Sequence, residues 1–220
     1  MPKITQIEPQ KKNSHRFNIY LDGQFAFGAD EDTVVDYRLL VSKEIFPEDL
    51  PKILFETEVG LLMGRMYNLF SVRLRSEKEV RNYLRGLNFK RKLKGDEQLS
   101  EVVIESLIEK LKQKEMINDT QFAVSWVESR RRNKQKGTNA IKAELYQKGI
   151  DREIIEEVIS GQSSEVSEED LAKQALEKKL KAWKNLPELD FKKKAVEFLV
   201  RRGFEYSLAK EIVENYFKEE

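Results

Sequence analysis

The sequence predicts a mainly all-α protein. Three tandem three-helix repeats form an elongated curved body, preceded by a small N-terminal extension that contains a β-hairpin. Two observations predict it. The stretch "LYQKGIDREIIEEVI" (145–159) and the stretch "LVRRGFEYSLAKEIV" (199–213) share one frame. Leu145 falls on Leu199, Lys148 on Arg202, Gly149 on Gly203, Ile150 on Phe204, Ile154 on Leu208 and Val158 on Ile212. The second observation is where each periodicity lies. Apolar residues alternate with period two only in the first thirty residues, and from about residue 52 they recur at helical spacing.

The extension comes first. In "RFNIYLDGQFAFG" Phe17, Ile19 and Leu21 alternate with Asn18, Tyr20 and Asp22. Asp22-Gly23 is a hairpin dipeptide, because Gly takes φ > 0 without a steric penalty. "KITQIE" adds a third short strand. After "DEDTVVDYRLL" the pattern turns helical, with Pro47 and Pro51 marking a helix start. "ILFETEVGLLMGRMYNLF" is a long helix that encloses Gly60 and Gly64, so neither belongs to a phosphate-binding loop.

Ser76-Glu77-Lys78-Glu79 reads as a capping box that opens a helix with Val80 and Leu84 on one stripe. "SEVVIESLIEKLKQKEMI" puts Val103, Leu107 and Leu111 on another. Asn118 or Asp119 caps "NDTQFAVSWVESRRR", which buries Phe122, Ala123, Trp126 and Val127. The repeat frame extends to three members. Val80 and Leu84 precede Asn88, Ile141 and Leu145 precede Gly149, and Ala195 and Leu199 precede Gly203. Asn88, Gly149 and Gly203 are the expected helix-terminating residues, because a left-handed residue costs any residue with a Cβ about 1–2 kcal/mol and Asn is the usual substitute for Gly. The apolar residue that follows (Phe89, Ile150, Phe204) is expected to pack back on the helix end. Polar linkers are expected at 160–170 and near 90–98. The domains divide as 1–57 for the extension, then 58–117, 118–164 and 165–220 for the repeats.

Composition excludes several classes of function. There is no cysteine, so thiolate metal sites, disulfides and cysteine nucleophiles are absent. His15 is the single histidine, which rules out His-pair metal sites, and it is expected in a surface loop. No catalytic, metal or cofactor-binding residue is indicated. With no signal-peptide pattern and no bilayer-length apolar run, a soluble, cytoplasmic, monomeric protein without a membrane partner is expected. Forty basic residues against 39 acidic ones leave a net charge of +1, so only the distribution of charge can point to a partner.

The motifs together resemble the RecX family, bacterial regulators of the RecA recombinase. "RLRSEKEVRNYL" is similar to the family's Arg-x-Arg-Ser-x-x-Glu-Leu stretch at Arg73, Arg75, Ser76, Glu79 and Val80. The central signature is carried by Asp119, Phe122, Ala123, Trp126, Arg130, Lys136, Gly137, Leu145, Lys148, Gly149 and Ile150, and the C-terminal one by "FLVRRGF" (198–204). The match covers roughly residues 60–215, and Asn88 departs from it by replacing a glycine. The resemblance implies three three-helix repeats, binding in the groove of the RecA–DNA filament, and inhibition of recombinase, ATPase and coprotease activities. It carries over no catalytic residue.

The candidate binding residues are cations. "RRRNKQKG" holds Arg130, Arg131, Arg132, Lys134 and Lys136 at a predicted helix end. A helix C-terminus favours cations for its dipole alone, but this run is denser than capping requires. Basic groups recur at 90–94, at Lys178, Lys179, Lys181 and Lys184, at 192–194, and at Arg201 and Arg202. With Arg73, Arg75 and Lys148, they form a candidate track for single- or double-stranded DNA of modest affinity, or for an acidic partner. Glu156, Glu157, Glu165, Glu168, Glu169 and Asp170 would lie elsewhere. Trp126 is assigned to the core by its stripe, whereas Trp183, in a lysine-rich helix, fits either core or base stacking. The rival to filament binding is a sequence-tolerant helical DNA-binding protein.

Overall fold

The computed structural model describes residues 1–11, 13–161, 167–183 and 185–216. Lys184, Glu165 and the centre of the 160–170 linker lie outside them. The extension is an antiparallel sheet ordered β1 (Ile4–Gln10), β2 (Asn13–Leu21), β3 (Gln24–Asp30). Asp22 at φ 49° and Gly23 at φ 82° make both turn residues left-handed, the connection whose twist matches paired strands. Phe17 pairs with Ala29 and Ile19 with Phe27. Ile19, Phe27 and Ala29 close a core with Ile4, Leu39, Ile45 and Ile53. His15 sits on β2 rather than in a loop, exposed, with Nδ1 3.2 Å from Glu31 Oε1. A short helix not foreseen from periodicity, α1 (Glu31–Asp36), follows β3, capped by Asp30 accepting the Thr33 N–H at 2.9 Å.

Nine longer helices follow in threes among the described residues: α2 (Leu50–Phe70), α3 (Glu77–Lys94) and α4 (Glu101–Gln113); α5 (Asp119–Lys134), α6 (Thr138–Gln147) and α7 (Arg152–Gly161); α8 (Glu168–Trp183), α9 (Glu188–Arg201) and α10 (Tyr206–Tyr216). Each trio closes its own apolar cluster. Leu62, Met66, Leu84 and Leu107 anchor the first, Phe122, Ile141, Leu145 and Ile155 the second, and Leu176, Leu199, Phe204 and Val213 the third. Burying one such side chain fully stabilises by about 1.5–3 kcal/mol. Trp183 is in the third core, edge-on to Phe198 at 5.5 Å. The expected boundary at 57/58 falls inside α2, which gives Ile53 to the sheet's core and Val59 to the first trio's. The residues group into two compact units, Met1–Leu74 with Val80–Ile117, and Arg75–Glu79 with Asn118 onward.

The helix-ending frame is realised twice, not three times. Gly149 and Gly203 take φ 81° and 92°. Behind them Ile150 and Phe204 are buried, their N–H groups reaching back to the carbonyls of Leu145 (3.1 Å) and Leu199 (3.2 Å). At Asn88 the helix does not end. α3 runs on to Lys94 and terminates at Gly95, φ 75°, so the linker expected near 90–98 begins only there. The reason lies in Asn88's partner. Its amide pairs with the backbone of Leu99, accepting that N–H at 2.8 Å and donating to that carbonyl at 3.2 Å. Phe89 consequently does not fold back and stays 62% exposed.

Candidate functional site

The basic run at the end of α5 is organised by two residues that the pattern did not single out, Gln135 and Glu144. Gln135 ends the helix at φ 42° without being glycine. Hydrogen bonds offset that strain. Its N–H donates to the Arg131 carbonyl (3.2 Å), its Nε2 donates to the Arg132 carbonyl (3.0 Å), and its Oε1 accepts from Lys178 Nζ at 2.7 Å. Arg202 lies over the Phe198 ring, 4.8 Å from its centroid, and donates to the Lys134 carbonyl. Three segments distant in sequence (130–136, 178 and 201–202) thus converge on one helix end. Arg132, Lys134 and Lys178 are exposed there, and Arg201, next to Arg202 in the chain, is exposed as well.

Glu144 on α6 takes up part of the positive charge. It accepts from Arg130 Nε at 2.6 Å, from Trp126 Nε1 at 2.8 Å and from Lys136. Arg130 also stacks 3.9 Å from the centre of the Trp126 ring. Burial pushes the Glu144 carboxyl up, but the hydrogen bonds from Lys136, Arg130 and Trp126 together outweigh it and hold the pKa below its ordinary value. Arg130 and Lys136 are therefore tied into a half-buried network around Trp126, which stacks on Phe122 at 5.4 Å. Arg131 is half-buried and also has partners. Glu168, expected to lie away from the cations, instead accepts the Thr138 N–H at 2.8 Å in a crevice it shares with Arg131 and Lys136.

The turn glycines fix how these cations are presented. Ser76 and Gly137 hold the same place in the repeat frame, 61 residues apart (137 − 76). Both donate to the carbonyl just before a turn glycine: Ser76 Oγ to Lys148 at 2.7 Å, and Gly137 N–H to Arg202 at 2.9 Å. Beside the first contact the Lys148 ammonium pairs with Glu79 and lies 5.1 Å from the Trp126 ring centre. Beside the second the Asn139 N–H donates to the Gly203 carbonyl at 3.0 Å. A Cβ on Gly137 would stand 2.4 Å from the Phe204 nitrogen, so the approach requires glycine there.

Arg73 is exposed and donates to the Leu74 carbonyl at 2.8 Å. Arg75 is half-buried, and its Nε has no hydrogen-bond partner. Glu156 pairs with Lys142 at 2.6 Å. Among the described residues no group of three His, Asp or Glu side chains is placed to hold a metal ion, and no helix is long and apolar enough to cross a membrane. The exposed cations can attract phosphate or carboxylate groups through charge and hydrogen bonding. Neither Gln135 nor Glu144 could have been found from spacing, since Glu144 follows Arg130 by 14 residues, outside any single-helix contact.

Comparison with known proteins agrees with this architecture. Residues 2–45 match the regulatory protein RecX N-terminal domain, residues 118–159 the second three-helix domain of RecX, and residues 167–213 the third. Over 208 residues the chain is 35% identical to the regulatory protein RecX of Bacillus subtilis (strain 168), covering 94% of this chain and 75% of that protein. It is 32% identical over 208 residues to the regulatory protein RecX of Listeria monocytogenes serovar 1/2a, covering 94% and 73%. The fold is similar to a crystal structure of regulatory protein RecX, with a TM-score of 0.75 and 28% identity across 97% of this chain and 100% of that one. It is also similar to RecX from Lactobacillus salivarius, with a TM-score of 0.58 and 25% identity across 71% and 95%. With the N-terminal domain and two three-helix domains matched in order, and 35% identity over 94% of its length, the chain belongs to the RecX family of regulatory proteins.

Proposed function

We propose that this protein binds the RecA–DNA nucleoprotein filament in its groove and inhibits recombinase, ATPase and coprotease activities during recombination and DNA repair. It acts as a monomer in the cytoplasm, by binding rather than by catalysis. The observation that carries the reading, in a RecX family chain, is the convergence of Arg132, Lys134, Lys178 and Arg202 around the left-handed Gln135, with Arg201 exposed next to Arg202 in the chain. These cations meet DNA phosphates, while neighbouring mixed-charge surface meets RecA protomers. Near-zero net charge keeps affinity for bare DNA modest, because acidic residues repel phosphate. Arg73, Arg75 and Lys148 contribute less directly.

The test is titration of the protein into preformed RecA filaments on single-stranded DNA at physiological salt, following ATP hydrolysis and strand exchange. Sub-stoichiometric inhibition is expected, since one bound molecule holds several protomers. A parallel binding measurement on bare DNA provides the control. Inhibition that begins only when free DNA is saturated would assign the protein to sequence-tolerant DNA binding instead.

A further inference from the structure

The first unit carries a surface that the basic cluster of the second does not explain. From Arg85 to Lys94, α3 holds five cations and no acidic residue. The same stretch exposes large apolar side chains, Phe89 at 62% and Leu93 at 72%, with Tyr83 six residues before Phe89 at 37%. Asn82, Gly86, Phe89 and Leu93 recur at spacings of four, three and four, so they share one helical face. A hollow of about 900 Å³ opens on this side of the helix. Tyr83, Gly86, Leu87 and Leu93 line it, with Arg65 of α2 and Lys90 beside them. Gly86 leaves the floor open, since a Cβ there would meet nothing within 4 Å.

The hollow is preformed. Its far wall is the segment after Gly95, pinned to α3 by the Asn88–Leu99 pair and by Arg91 donating to the Glu97 carbonyl at 3.2 Å. Arg91 is neutralised by Glu58 at 2.6 Å, and Asp96 and Glu97 border one part of the rim, while Lys90 and Lys94 remain exposed. A fixed apolar hollow beside exposed cations suits an apolar anchor flanked by carboxylates. We infer that this face of α3 docks an acidic segment of a protein partner, a large apolar side chain seated in the hollow over Gly86 and flanking Asp or Glu residues meeting Lys90, Lys94 and Arg65. Apart from Tyr83 the apolar side chains lining the hollow are aliphatic, which favours a peptide over stacked bases, since stacking needs π-faces.

The experiment selects short random peptides on the full-length protein. The tightest binder is then made with a fluorophore and titrated by anisotropy into wild type and variants. Selected sequences should be rich in Asp and Glu around one large apolar residue, and binding should weaken as salt is raised. Gly86→Leu, which fills the floor, and the exposed pair Lys90→Glu with Lys94→Glu should each weaken binding at least about tenfold. Leu93→Ser provides a third variant at an exposed position should Gly86→Leu lose helical signal. Selection that yields no binder, peptides without acidic enrichment, or unchanged affinity in the variants overturns the inference. So does competition by oligothymidylate that the same variants abolish, which would assign the face to nucleic acid. Neither RecA nor filaments enter the assay, so its failure leaves the filament reading untouched.

Discussion

Replacing Gly203 with Ala separates conformational strain from close approach. At φ 92° any residue with a Cβ pays about 1–2 kcal/mol. The new Cβ would also stand 2.2 Å from the Ala140 nitrogen and 2.3 Å from its Cβ, atoms fixed to the start of α6. The turn must then retreat, weakening the bonds from Gly137 N–H to Arg202 (2.9 Å) and from Asn139 N–H to Gly203 (3.0 Å). Each such bond contributes about 0.5–1.5 kcal/mol, so the total loss should be roughly 2–5 kcal/mol. Both tryptophans, Trp126 and Trp183, lie in the same unit as Gly203, so fluorescence during urea unfolding reports on it. Gly95→Ala supplies the comparison: φ is 75° with open space beyond the Cβ, and its cost, followed by circular dichroism, is the dihedral strain alone. A Gly203→Ala loss no larger than that of Gly95→Ala would refute the claim that this turn is held against α6.

Asn88→Gly should destabilise more than Asn88→Ala, because the position is mid-helix, where Gly costs about 1 kcal/mol relative to Ala, and both lose the pairing to Leu99; a neutral Gly variant in urea unfolding would restore the helix-ending role. Glu144→Ala should cost about 1–3 kcal/mol by stranding Arg130, Lys136 and Trp126. Because the folded pKa of Glu144 is depressed, its contribution is present above the ordinary carboxylate pKa and lost as pH falls through the folded value, so the variant's unfolding midpoint should depend less on pH on the acid side. Replacing Arg132, Lys134 and Arg201 together with Ala should leave stability intact and lower the slope of log K against log salt by roughly 3 on duplex DNA and roughly 2 on single strands, as for three phosphate contacts. An unchanged slope in a DNA-binding titration would return these residues to ordinary solvated surface.

How much was legible in the chain differs from element to element. The Asp22-Gly23 hairpin, the stripe Val103, Leu107 and Leu111, the Asn118 cap and the Gly149 and Gly203 turns all follow from contacts within a few residues. Local rules read such contacts because the interacting groups are neighbours along the chain. Asn88 satisfied the same local rule and yet lies within α3, because its amide found the Leu99 backbone 11 residues on. Spacing placed Trp126 among core residues, but its indole edge reaches Glu144 and its face carries Arg130.

The fate of the basic run shows the same division. By itself the sequence determined that cations gather at the end of α5, since composition and helix period are enough to place them there. Only the tertiary structure decided which of them remain available. Arg130 and Lys136 turn inward to Glu144, Arg202 reaches the Lys134 carbonyl, and Lys178 arrives from another repeat to meet Gln135. A charge is neutralised by whatever stands within a few ångströms of it, and that proximity is created by packing between helices far apart in the chain.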